Sequence, residues 1–207
     1  MRISILVIAV LVMCICNAQN FEGKITYQNA YTSKIPNATS EQFTGMMGSI
    51  QEYFIKGDSY KSAMNGSYSQ WQLYVPTENR LYTKVAVSDT LMWSDGNSNP
   101  DEAVSYEIQK SQVEILGYKC DALVVQTKTG KATYYFSKKI KIDPKLYKNH
   151  LYGNWALVIE QTKSLPLKIE METPQFTLMS TAVEVKKMKI EESILALPAV
   201  PFKKSPY

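Results

Sequence analysis

No stretch of this chain repeats apolar residues at helical spacing for even three turns, whereas short runs that alternate apolar and polar residues recur along most of its length. Successive side chains of a strand point to opposite faces, so such alternation specifies a sheet with one dry face and one wet one. Residues 21–27 put Phe21, Gly23, Ile25 and Tyr27 on one face. Residues 50–55 and 59–64 flank Lys56-Gly57-Asp58, a hairpin signal. Residues 69–75 align Trp71, Leu73 and Val75; residues 80–87 and 90–93 read as two further strands. Residues 115–136 carry two β-branched and aromatic runs around Thr129-Gly130-Lys131 and read as the central hairpin of the sheet. Residues 106–108 and 113–116 read as two short strands before that hairpin, and residues 165–171 and 176–187 complete the series. Turn formers separate the runs at Asn65-Gly66, at 76–79 and densely at 94–100. The whole amounts to roughly ten to twelve short strands, the pattern of an all-β sheet, sandwich or barrel.

Two regions break the pattern. In residues 31–48, Thr39 or Ser40 is placed to cap a short helix running through Met47, which Gly45 weakens. Residues 138–154 have no clear period and include Pro144 and Gly153; residues 156–160 suit either a strand or the start of a short helix. Pro198, Pro201 and Pro206 predict an extended, loose tail from about 198. No linker or repeat divides the chain, so residues 19–207 are expected to form one domain.

Residues 1–18 read as an export signal: Arg2, then an apolar run over 3–16 too short to span a bilayer, then Cys16-Asn17-Ala18 with small residues before a cleavage point after Ala18. The expected address is therefore the periplasm or the exterior. Lipid anchoring through Cys14 or Cys16 is the rival reading, disfavoured by the large Met13 and Ile15 that precede them. Two of the three cysteines lie in this leader, so Cys120 has no partner for an internal disulfide and is expected to be a buried packing thiol. Against 19 Asp and Glu stand 23 Lys and Arg, a net charge of +4 that drops by one when Arg2 leaves, too weak and dispersed for nucleic acid.

The catalytic inventory is thin. There is one histidine, His150, read as a surface or loop hydrogen-bonder, and no nucleophile-elbow motif or phosphate-cradling glycine loop. Clustered metal ligands are absent, and alternating acids such as Glu170 and Glu172 read as a solvated strand face. No cofactor and no enzymatic activity are expected. Two sets of residues remain. Trp71, Tyr74, Tyr82, Trp93, Tyr106, Tyr134 and Phe136 lie on successive strands; on a curved sheet they either pack as core or line a concavity that holds a hydrophobic small molecule or lipid. Lys138, Lys139, Lys141, Lys145 and Lys148 form either a solvated segment or a docking patch for an envelope protein or membrane surface.

Several short motifs occur in a familiar order: Phe21-Glu22-Gly23-Lys24-Ile25-Thr26-Tyr27, Tyr53-Phe54-Ile55-Lys56-Gly57-Asp58, Ile115-Leu116-Gly117-Tyr118-Lys119-Cys120, Tyr152-Gly153-Asn154, Leu165-Pro166-Leu167-Lys168-Ile169-Glu170 and Leu195-Ala196-Leu197-Pro198. In this the chain resembles the secreted domain-of-unknown-function proteins of Bacteroidota related to the GLPGLI proteins. The resemblance implies a single curved antiparallel sheet, a half-barrel or open barrel like that of LolA-like lipoprotein carriers, with an apolar concave face and a short helix or flap. It brings no functional residues with it; the aromatic residues that recur on the strands without a catalytic set lead to the expectation of an exported binding module holding an acyl chain or a lipidated partner.

Overall fold

The computed structural model describes residues 20–206; the predicted signal peptide and its cleavage point lie outside the described residues. Twelve strands form one open, curved sheet: β1 (Gly23–Ser33), β2 (Ile50–Lys56), β3 (Ser59–Met64), β4 (Ser69–Val75), β5 (Arg80–Val85), β6 (Leu91–Asp95), β7 (Ala103–Ile115), β8 (Tyr118–Thr127), β9 (Lys131–Lys141), β10 (Ser164–Glu172), β11 (Phe176–Lys187) and β12 (Phe202–Lys204). Their order across the sheet is β12-β6-β5-β4-β3-β2-β1-β11-β10-β9-β8-β7, with every pairing antiparallel except β12 on β6. The all-β class read from the alternation, and the single open curved sheet that the resemblance implies, are what the chain forms.

The predicted short helix is α1 (Ser40–Met47), capped as its sequence dictates: Thr39 Oγ1 accepts from Gln42 N–H at 3.2 Å and Gln42 Oε1 accepts from Thr39 N–H at 2.7 Å. A second helix, α2 (Trp155–Thr162), occupies the apolar segment that strand and helix signals left open. Its flanks settle the matter. Gly153 and Asn154 both take positive φ, 63° and 60°, a left-handed pair that glycine and asparagine tolerate best, and Lys163 closes the helix at φ 53°.

Three expectations change. The hairpin of residues 115–136 is not central: β8 is one strand from the open edge, and the centre of the sheet is β2-β1-β11. The two short strands expected at 106–108 and 113–116 are one strand, β7, whose register slips between Gln109 and Val113 around Ser111 at φ 52°. That strand turns into β8 through Leu116 and Gly117 at φ 50° and 75°, the double positive φ of a two-residue hairpin turn. The tail is extended as expected, yet it is docked: Leu91 N–H donates to Pro201 O at 2.9 Å, Ser205 N–H to Trp93 O at 2.8 Å, and the Phe202 ring meets Tyr82 edge-on at 5.7 Å.

The main core cluster lies on one side of the curve, while Leu73 and Tyr82 are buried on the other. Alternate residues of β1 are buried from Gly23 to Tyr31, and the rows facing them include Tyr53, Ile55, Tyr60 and Tyr74. Over these rows folds the β9–β10 connection, residues 142–163, with α2 and the 3₁₀ turns Pro144–Tyr147 and Tyr152–Asn154. It is pinned from several directions. Tyr147 Oη donates to Gly57 O at 3.2 Å; Asn79 Nδ2 donates to Asn149 O at 2.9 Å; Leu151 N–H donates to Gly96 O at 2.7 Å. A Cβ on Gly96 would sit 2.1 Å from Asn79 Oδ1, so the approach requires glycine. Asn154 spends its whole amide on the loop before β7: Oδ1 accepts from Asn99 Nδ2 and Ala103 N–H, and Nδ2 donates to Asp101 O. Residues 142–163 thus plug the concave side instead of capping it loosely.

Candidate functional site: an aromatic cavity beneath the plug

Strand register separates the seven aromatic candidates. Residues directly opposite on neighbouring antiparallel strands share a face. Tyr60 pairs with Tyr74, and Tyr74 with Leu81, on the inner face. Leu73 pairs with Tyr82, and Tyr82 with Trp93, on the outer face, which alternation also gives to Trp71. Tyr134 and Phe136 are inner and pack with Val158 of α2; Tyr106, opposite Val125, is inner by register but 49 % exposed on the edge strand. Trp71, Tyr82 and Trp93 therefore cannot line a concave site with Tyr74.

What the inner face does assemble is a stack that the seven candidates only touch at Tyr74. The rings of Tyr53 and Tyr60 stack at 5.0 Å, Tyr60 and Tyr74 at 5.6 Å, and Tyr74 and His150 at 3.9 Å and 5°. Tyr147 and Trp155 tilt against Tyr60 from the plug at 6.4 and 6.0 Å. His150 is a loop residue as expected, but it is 1 % exposed and lies in the middle of this stack. Its Nε2 is 2.8 Å from Tyr60 Oη, while Nδ1 is buried with no partner. A protonated ring would carry two N–H donors and leave one of them stranded, and burial lowers the imidazole pKa to about 4. Burial likewise pushes the Tyr74 and Tyr134 phenols up to about 12, and Tyr27, Tyr53 and Tyr60 well above the ordinary phenol value.

Where the plug stops short, a cavity of about 130 Å³ opens between the Trp155 ring and the strands. Tyr27, Tyr53, Tyr60 and Trp155 form its aromatic walls, Gln51, Ser62 and Gln72 its polar side, and Leu165, Pro166 and Ile169 the rest. Tyr27 Oη is committed to Pro166 O at 2.7 Å, and Gln51 Nε2 to Ser62 Oγ at 2.8 Å. Tyr53 Oη and Trp155 Nε1 are buried donors without a partner. Sequence reading missed all of the polar lining. Tyr53 and Tyr60 carried a usable signal, since the Lys56-Gly57-Asp58 turn fixes the register that puts both rings on the face of Ile25 and Tyr27. Trp155 carried none, because its position depends on where the plug lands.

The five lysine candidates are all exposed, and none forms an ion pair among the described residues. Lys138, Lys139 and Lys141 belong to β9 itself, in the stretch where its register with β10 shifts between Phe136 and Lys141. Cys120 is a free, fully buried core residue; its Sγ lies 3.3 Å from Tyr118 O, and burial, with Asp121 beside it, raises its pKa. Among the described residues no three His, Cys, Asp or Glu side chains converge to hold a metal ion.

No family model matches the chain, and no curated protein does. Among solved structures it is similar to an uncharacterized conserved protein from Thermus thermophilus, at 9 % identity and a TM-score of 0.49 over 89 % of this chain and 91 % of that one. It is also similar to PNGF-II in two crystal forms, at 14 % and 12 % identity with TM-scores of 0.51 and 0.52, over 88 % of this chain. The chain spans 31 % of the length of PNGF-II. At these identities the PNGF-II likeness concerns the sheet alone.

Proposed function

We propose that this is an exported, non-enzymatic binding module that holds a small ligand in the cavity between Trp155 and strands β1 to β4. The observation that carries the reading is a cavity walled by aromatic rings, two of whose lining residues, Tyr53 and Trp155, carry a buried polar atom with no partner. Convergent polar groups in an otherwise apolar concavity are the usual make-up of a small-molecule site, and a buried donor left without a partner costs stability unless something meets it. The resemblance to secreted half-barrel proteins points the same way. The size narrows the ligand. An engineered apolar cavity of about 150 Å³ takes up benzene. An acyl chain of any length would need residues 142–163 to lift away from the hydrogen bonds that pin them at Gly57, Asn79, Gly96 and the loop before β7.

A second reading, docking of an envelope protein or membrane surface through Lys138, Lys139, Lys141, Lys145 and Lys148, draws on their exposure and their lack of ion pairs among the described residues. It is the weaker one, because exposed lysines are ordinarily just solvated and nothing else at these positions marks a docking point.

Native mass spectrometry of the protein purified from the cells that naturally make it tests the first reading. The wild-type chain is expected to carry a small-molecule adduct that is lost in Ile169→Phe, a change that fills the cavity from one side. A wild-type chain that is empty in every preparation overturns it.

A further inference from the structure

We infer that the ligand of this cavity is an uncharged aromatic ring bearing a carbonyl or amide oxygen, with that oxygen accepting from the Tyr53 hydroxyl and the Trp155 indole N–H. The inference rests on the binding-module reading and specifies its ligand class. Four observations support it. First, none of the residues lining the cavity is Lys, Arg, Asp or Glu. The charged neighbours on the same strands are engaged elsewhere: Lys61 lies over the Trp71 ring at 5.0 Å on the outer face, and Lys168 lies over Tyr135 at 5.1 Å and pairs with Glu170 at 2.6 Å. A carboxylate or ammonium ligand would enter with no counter-charge, at full desolvation cost.

Second, the residues of the stack report the same property. Burial raises the phenols of Tyr53 and Tyr60 and lowers the imidazole of His150, so this interior rejects negative and positive charge alike. Third, the two unpartnered groups are both donors, and they come from opposite sides, Tyr53 from β2 and Trp155 from the plug, on rings whose centroids are 6.4 Å apart. Tyr53 is only 7 % exposed, so its hydroxyl has no recourse to bulk water. An acceptor oxygen satisfies both, whereas a ligand that offers only donors can meet the Tyr53 hydroxyl oxygen but leaves the Trp155 indole N–H, a donor only, without a partner. Fourth, the walls are aromatic on both sides and the volume is that of a single flat ring, which packs against them by offset stacking or edge contact.

Titration of ¹⁵N-labelled protein with benzamide and with benzoate at pH 7.5 tests this. The readout is the indole N–H resonance of Trp155, identified by its loss in Trp155→Phe. Benzamide is expected to shift that resonance and benzoate at equal concentration to leave it in place. Tyr53→Phe removes a buried hydroxyl that has no protein partner, so the fold is retained, and it is expected to weaken benzamide about tenfold. Equal binding of benzoate overturns the uncharged class while leaving the cavity a binding site. Benzamide binding that Tyr53→Phe does not change overturns the donor assignment. If neither compound moves the Trp155 resonance the inference falls, and the adduct measured by native mass spectrometry decides independently whether the binding-module reading falls with it.

Discussion

Strands β4 to β6 carry aromatic residues on both faces, and the two faces use them in opposite ways. On the inner face Tyr74 is dry: 2 % exposed, stacked on His150, its hydroxyl donating to Asn79 Oδ1 at 2.8 Å. On the outer face Trp93 lies between two cations, Arg80 at 4.0 Å and Lys204 at 5.6 Å, and Trp71 has Lys61 above it. The same alternation in sequence thus yields a desolvated stack that rejects charge and a face whose half-exposed tryptophans recruit it, although Tyr82 on that face is itself buried against Phe202. The difference lies in the cover. The inner rings lie under the rigid plug of residues 142–163. The outer rings have only the β12 tail and long basic side chains, whose methylene stems shield the rings while their charged heads stay in water. A candidate binding site follows the first kind of cover, because only there are unpartnered donors kept from solvent.

The largest expected effect comes from cutting into the inner stack. Tyr74→Ala removes a ring in face-to-face contact with His150 and leaves Asn79, which also holds the plug through Asn149 O, without a partner for its Oδ1. Loss of a buried aromatic side chain of this kind costs about 3–5 kcal/mol. Urea denaturation measures it, and a loss below about 1 kcal/mol would show the stack to be less tightly packed than its 3.9 Å spacing implies.

The next effect is electrostatic and belongs to the inner face alone. His150 titrates near 6.5 in the unfolded chain and about 4 in the folded one. Below pH 6.5 the unfolded state therefore binds more protons, so stability falls as the pH drops through the window from 6.5 to 4 and is flat above it with respect to this group. The shift corresponds to about 3 kcal/mol at the acid end of that window. Denaturation midpoints at pH 7 and pH 4.5, compared between wild type and His150→Gln, isolate the contribution: the variant is expected to lose most of the extra acid sensitivity. If both chains respond alike, the ring is protonated within the fold and the charge-rejecting interior is not what the geometry implies.

Much of this fold was legible in the residues, and the limits of that legibility have physical causes. Period-two alternation placed β1, the β2–β3 hairpin, β4 and β11, because a half-buried strand writes its environment into consecutive residues. Thr39, one of two cap candidates, announced α1, and the structure adds Gln42 as the other half of a reciprocal cap that needs no tertiary partner. Sheet order was not legible: nothing local to residues 115–136 says that β8 lies next to the edge, or that β11 crosses back to pair with β1. The site was legible only in part. Alternation says which residues share a face of one strand, and so already parts Trp71 from Tyr74, but not which face the plug covers or how strands register, so the faces of Tyr82 and Trp93 relative to Tyr74 became visible only from the pairing. His150 and Trp155 come from the segment with no period at all. Their burial follows from long-range hydrogen bonds such as those at Gly57, Gly96 and Asn79, which leave no periodic trace.

The smallest effect is expected on the outer face, and it fixes the scale of the contrast. Arg80→Met keeps the apolar stem over Trp93 and removes the guanidinium, together with its 3.0 Å contact to Glu78. An exposed cation–π contact contributes about 0.5–1 kcal/mol, and a surface ion pair no more than that. The combined loss is expected to stay near 1 kcal/mol, several times smaller than for Tyr74→Ala, and to shrink as salt screens the pair. Stability in low and high sodium chloride measures both. The covering tail offers an internal check, since Lys204 also lies over Trp93: if the outer face is held by cations, Arg80→Met with Lys204→Met should cost more than either change alone. A loss as large as that of Tyr74→Ala would mean that β12 and its cations form a second core, and that the contrast between the two faces is one of polarity but not of packing.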